Sequence, residues 1–250
     1  MTHTFIFSTL LLGLSCLFFS CKEPEQTGLR LNLMAQYPLT IAEPSGLSLS
    51  GGSDQLWVVS DKSGRIYSIT TEGLTLDSLL YKGDDPEGIS YDPSNNTLWL
   101  VEEQQAQLLH LTDQGQILEN YLPTLPQGTP NKGMEGITVD TDQQLLYVLN
   151  EDKPGVLLRL SFQGEVQEQF LLSFANDYSG LAYDAQRKAL WIISDQSQSI
   201  NLCNMQGKLI KAFSIAITKA EGVAVDNQLG RIYIVSDFEE VMYVYELKEE

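Results

Sequence analysis

A glycine-anchored unit recurs five times in this chain of 250 residues and leaves little choice of fold. Its last copy reads Glu221-Gly222-Val223-Ala224-Val225-Asp226, a short turn, then Arg231-Ile232-Tyr233-Ile234-Val235-Ser236-Asp237. The glycines fall at Gly46, Gly88, Gly136, Gly180 and Gly222, so successive units begin 42, 48, 44 and 42 residues apart. That is the period of a propeller blade. An aromatic follows each glycine by 11 positions (Trp57, Trp99, Tyr147, Trp191, Tyr233) and an acid follows it by 15 (Asp61, Glu103, Glu151, Asp195, Asp237). Two fixed spacings held over five copies specify one supersecondary element repeated around an axis.

Each unit is patterned as four strands, and no helical period of useful length occurs. Leu56-Trp57-Val58-Val59 is a near-continuous apolar run, as a strand covered on both faces requires. Gly51-Gly52-Ser53-Asp54 and Asp61-Lys62-Ser63-Gly64 are turn sequences. Outer strands are expected near residues 117–122, 166–172 and 209–215. The fifth unit has only three strands, whereas Leu29-Arg30-Leu31-Asn32-Leu33 alternates strictly, precedes the first unit and has no partner of its own. Pairing these two ends closes the ring and removes an exposed edge. The expected fold is all-β: a five-bladed β-propeller over residues 29–250, closed by an N-terminal strand that completes the last blade.

Fifteen Lys and Arg face 33 Asp and Glu, giving a net charge of −18. This excludes a nucleic-acid surface, which needs clustered basic residues, and makes cations the natural ionic partners. Residues 1–20 hold no Asp, Glu, Lys or Arg, and residues 5–19 form an apolar run suited to a secretory signal but short for a bilayer span. The run ends at Ser20-Cys21, followed by Lys22-Glu23-Pro24, and is similar to a bacterial lipoprotein signal. We therefore expect a signal peptide at 1–20, lipidation of Cys21, a tether at 21–28 and a monomer held in the outer membrane by its lipid alone. Cys16 is a second candidate, but cleavage there would leave Leu17-Phe18-Phe19 exposed on the tether, and unanchored secretion is the remaining alternative. A lipidated Cys21 leaves Cys203 without a partner, so the domain is expected to hold together without disulfides.

Topology alone locates the acids. Strand direction alternates within a blade, so the start of the inner strand and the end of the second strand lie on one face. Glu87, Glu135 and Glu221, each just before a unit's glycine, and the five acids Asp61, Glu103, Glu151, Asp195 and Asp237 therefore ring the same mouth. The ring of five reads either as turn caps or as a cation-attracting rim. The three glutamates point toward a narrow axis, where like charges about 4 Å apart repel by about 4 kcal/mol at an effective dielectric of about 20. Protonation, intervening water or a cation can relieve this, and an all-oxygen donor set without His or Cys favours calcium.

The turns Pro44-Ser45-Gly46, Pro86-Glu87-Gly88, Met134-Glu135-Gly136, Tyr178-Ser179-Gly180 and Ala220-Glu221-Gly222 are, in that order, similar to those of the SdiA-regulated, YjiK-like family. The strand pairs also resemble NHL-type propeller repeats. The resemblance spans roughly residues 29–247 and implies a five-bladed propeller with a bound calcium ion and no established activity. Gluconolactonase and paraoxonase propellers, alike only in architecture, carry a catalytic calcium on the axis.

Two functional classes follow. One is a binding or scaffolding module for a ligand or envelope protein; the other is a metal-dependent hydrolase acting on lactones or esters. Against the second, the chain beyond the signal has one histidine, His110, in a third-strand position, and no Gly-x-Ser-x-Gly elbow. Glycan binding is a third class, with no specific residue behind it. Residues 122–133, punctuated by Pro and Gly, account for the longest interval and are either a lid on the acidic face or a linker of variable length.

Overall fold

Twenty strands in five four-stranded antiparallel sheets account for the five units. The computed structural model describes residue 1 and residues 28–125, 133–151 and 154–249. The signal peptide, Cys21, nearly all of the tether and residues 126–132 of the long loop lie outside the described residues. No helix occurs among those described.

Strand β1 (Leu29–Pro38) precedes the first blade, which comprises β2 (Pro44–Leu49), β3 (Gln55–Ser60), β4 (Arg65–Thr70) and β5 (Thr75–Lys82). The second blade is β6 (Pro86–Asp92), β7 (Thr97–Glu102), β8 (Gln107–Thr112) and β9 (Ile117–Tyr121). The third is β10 (Met134–Asp140), β11 (Leu145–Asn150), β12 (Val156–Ser161) and β13 (Val166–Leu171). The fourth is β14 (Leu181–Asp184), β15 (Ala189–Ser194), β16 (Ser199–Cys203) and β17 (Leu209–Ser214). The fifth holds β18 (Ala220–Asp226), β19 (Arg231–Ser236) and β20 (Val241–Glu249), with β1 as its outer strand in the order β1-β20-β19-β18.

The closing strand is longer than its alternating stretch suggests, because a bulge lets it continue. Leu33 pairs with Tyr245 and Ala35 with Val244, so Met34 is an extra residue on the β1 side. The bulge moves odd-numbered side chains from one face of the fifth blade to the other. Leu29 and Leu31 pack beside Tyr243 and Tyr245 in the core shared with the fourth blade. Ala35 and Tyr37 pack beside Met242 and Val244 in the core shared with the first. Leu33, at the crossover, is 49% exposed. One strand thus seals both flanks of the blade that closes the ring.

The aromatics 11 residues after the glycines are core: Trp99, Tyr147, Trp191 and Tyr233 are at most 1% exposed. In the fourth blade the Trp191 indole N–H donates to Asp184 Oδ2 at 3.1 Å. Neighbouring blades are also stitched along their inner strands. Backbone N–H groups of Tyr91, Val139 and Tyr183 donate to Ser48 Oγ, Ser90 Oγ and Thr138 Oγ1 at 2.9, 3.1 and 2.9 Å.

The five glycines permit this approach. A Cβ on Gly180 would lie 2.1 Å from the Glu221 carbonyl oxygen, and one on Gly222 would lie 2.4 Å from that of Ser45. The same clash runs around the ring at Gly46 against Glu87 and Gly88 against Glu135. Each inner strand presses its glycine on the backbone of the next, so the repeat's most regular residue is a steric requirement of closure. Gly180→Ala is expected to lower stability by about 2 to 3 kcal/mol through backbone displacement. Chemical denaturation measures this, and an unchanged midpoint would show that the strands can separate freely.

Candidate metal centre

At the mouth where the inner strands begin, the residues before the five glycines are, in order, Ser45, Glu87, Glu135, Ser179 and Glu221. All five line one axial cavity of about 10 Å³, room for a single water-sized body. Its floor is Leu47, Ile89, Ile137, Leu181 and Val223, none more than 4% exposed. The two serines turn sideways: Ser45 Oγ donates to the Pro86 carbonyl at 3.1 Å and Ser179 Oγ to that of Ala220 at 2.9 Å. Only the three glutamates bring charge to this space.

A carboxylate above an apolar plug and beside others of its kind is poorly solvated. Burial, reinforced by Asp61, Glu221, Asp85 and Glu103, raises Glu87 from 4.5 to about 9. Burial, with Glu87, Glu151, Glu103 and Glu221, raises Glu135 to about 10. Burial also raises Glu221 to about 8; Lys219 opposes the rise, while Asp195, Asp237 and Glu151 add to it. With no cation bound, all three therefore hold their protons at neutral pH.

The outer ring feeds this field, and in three of the five units the hairpin is capped from the position before it. Ser60, Ser194 and Ser236, one position earlier, cap the hairpins by accepting the N–H of Ser63, Ser197 and Glu239 at 3.1, 3.2 and 3.0 Å. The backbone N–H of Asp61, Glu103, Glu151 and Asp237 instead donates to the residue three before the unit's glycine: Glu43, Asp85, Gly133 and Lys219. Asp195 Oδ1 accepts the Lys219 N–H at 2.7 Å. Glu103 and Glu151 act on the axial glutamates through space.

That earlier position contains a residue not singled out from the sequence. Asp85 joins Asp61 and Glu87 in a cluster whose ligand atoms lie within 4.8 Å of one another. Burial, then a shared hydrogen bond with Asp85 and its charge, raises Asp61 from 3.8 to about 6. The available signal was an acid three residues before the glycine in three of five units: Glu43, Asp85 and Asp177. Asp177 has a different task, accepting the Ser194 hydroxyl and the Gln196 N–H.

The donor set fits a hard divalent cation. It is all oxygen and the cavity admits one ion, although among the described residues the carboxylates whose ligand atoms lie within 4.8 Å of one another are Asp61, Asp85 and Glu87, so of the three axial glutamates only Glu87 belongs to that group. His110 lies outside the centre in β8, stacked on Trp99 at 4.3 Å and bonded to Thr97 and Glu119. The Ser45 and Ser179 hydroxyls at this mouth are given to backbone carbonyls and not to a carboxylate.

Solved propellers share the architecture. Glutaminyl cyclase of Myxococcus xanthus superposes with a TM-score of 0.70 at 14% identity, over 88% of this chain and 97% of that one. A chain of a nidogen/laminin complex gives 0.55 at 14% identity, over 79% and 77%. Virginiamycin B lyase of Staphylococcus aureus gives 0.50 at 19% identity, over 86% and 73%. At such identities the likeness concerns fold alone. A model of the SdiA-regulated family matches residues 26–246, which takes in every blade and the closing strand, and the chain belongs to that family.

Proposed function

We propose that this propeller is a calcium-organised binding module of the cell envelope, tethered through a lipidated Cys21. The observation that carries this reading is the convergence of Glu87, Glu135 and Glu221 on one cavity of about 10 Å³ whose floor is apolar. Calcium bound there would supply a fixed positive centre at an otherwise acidic mouth, with Asp61 and Asp85 at its rim. A ligand carrying oxygen donors could then complete the coordination.

The test is calorimetric titration of the metal-free protein with calcium at neutral pH in two buffers of different ionisation enthalpy. Because the three carboxyl groups hold protons without the ion, binding should release them, and the observed heat should differ between buffers. Affinity should rise as the pH is raised toward 8–10, where the glutamates ionise unaided. Absence of binding, or identical heats, would refute the centre.

The hydrolase reading retains one observation. Asp61, at about 6 and hydrogen-bonded to Asp85, has the proton affinity of a general base near neutrality and stands beside Glu87. Calcium-dependent turnover of lactones or esters, lost in Asp61→Asn, would favour it. The anchor is tested separately: Cys21→Ser should move the protein from the membrane to the soluble fraction, since a covalent acyl group is the proposed attachment. A variant that still sediments with membranes would dismiss lipidation there.

A further inference from the structure

The apolar plug that floors the carboxylate cavity is also the floor of a second, larger cavity at the opposite mouth. It has a volume of about 380 Å³, within the range of small-molecule sites. We propose that this mouth binds an uncharged saccharide unit. The reading is independent of the metal centre.

Charge is the first argument. In a chain of net charge −18, Asp226 is the one charged residue in the cavity wall. It is 1% exposed, and its Oδ1 accepts the N–H groups of Gln228 and Leu229 at 2.8 and 2.9 Å. An anion would find no cation there. A cation would find no exposed carboxylate, since the second oxygen, Oδ2, makes no hydrogen bond among the described residues but is buried away from the cavity's solvent.

Hydrogen bonding is the second. Ser90 and Thr138, each 6% exposed, line the wall, and each accepts a backbone N–H from the next blade. Their O–H protons find no acceptor among the described residues, so two buried donors are available to ligand oxygens. Shape is the third. Tyr91 and Tyr183, three residues after their glycines, place aromatic surface in the same wall, and the Tyr183 hydroxyl has no hydrogen-bond partner among the described residues. Neutral donors beside aromatic faces suit a molecule with hydroxyls around its edge and a C–H face, which is a pyranose.

The probes are N-acetylglucosamine and glucose, followed by saturation-transfer NMR on the full domain. Saturation should reach the ring C–H protons of at least one sugar and persist in EDTA. Tyr183→Leu should weaken binding about tenfold, whereas Tyr183→Phe, which keeps the aromatic face and loses only the hydroxyl, should weaken it less. Melting temperatures measured alongside keep the comparison to folded protein, since Tyr183 is partly buried against a core. Three results would overturn the proposal: no transfer to either sugar, transfer undiminished in folded Tyr183→Leu, or transfer abolished by EDTA, which places the sugar at the carboxylate mouth.

Discussion

Deletion of residues 29–38 is expected to leave a chain that aggregates or melts far below the parent. The strand forms nine residue pairs with β20 and is its only outer neighbour in the described structure. Leu29 is 3% exposed, and Leu31, Ala35 and Tyr37 are partly buried against two separate cores. Burial of that surface amounts to about 5 kcal/mol at about 25 cal/mol per Å², comparable with the whole stability of many domains. Removal also bares the edge of β20, where Met242, Tyr243, Val244 and Tyr245 follow one another. A long apolar edge of that kind pairs with other chains. Size-exclusion chromatography and calorimetry measure both effects. A truncated domain that runs as a monomer with the parental melting temperature would mean that the fifth blade is stable with three strands.

The fold was legible because its determinants are periodic. Gly46 and its four counterparts are forced by contacts of 2.1–2.5 Å that any side chain would make at four of the five positions, and the aromatics 11 residues later fill the space between blades. Such requirements repeat with the blade and so appear in the sequence as fixed spacings. Strand ends were read to within a residue or two in the outer strands, as at Ile117–Tyr121. The bulge at Met34 was not legible, because it compensates the mismatch between one strand and two different cores, which is a property of the partner strand.

The metal centre was legible only in part, for a related reason. Glu87, Glu135 and Glu221 occupy one repeat position, so topology alone brings them to the lining of one cavity. Asp85 reaches the same mouth from a link between blades, where the five units carry Glu43, Asp85, Gly133, Asp177 and Lys219. An acid in three of five units is a weaker signal than the fixed spacings, although the backbone carbonyl at this position does the same work in four units. The hydroxyls of Ser48, Ser90 and Thr138 were likewise hidden, since two of the five units carry Ala182 and Ala224 there.

Replacement of Glu135 by Gln should change sign in its effect on stability according to whether calcium is present. The free carboxyl is held at about 10, above its unfolded value of 4.5, so the folded state binds this proton more tightly than the unfolded state. For such a group the stabilisation is greatest below the unfolded value and is lost progressively as pH rises toward the folded value. In EDTA the parent should therefore lose stability between about pH 4.5 and 10, and the Gln variant, with no proton to lose at this position, should lose less. At about pH 8 in EDTA the variant is expected to be the more stable protein. With calcium at 1,000 times its dissociation constant the parent should gain about 4.1 kcal/mol, and the variant, lacking one charged ligand, should gain little of it. The order of the two melting temperatures then inverts. Glu87→Gln and Glu221→Gln should invert likewise, over windows ending near 9 and 8. An acid that merely capped a turn would give a variant weaker than the parent under both conditions, and that result would remove the cage from the axis.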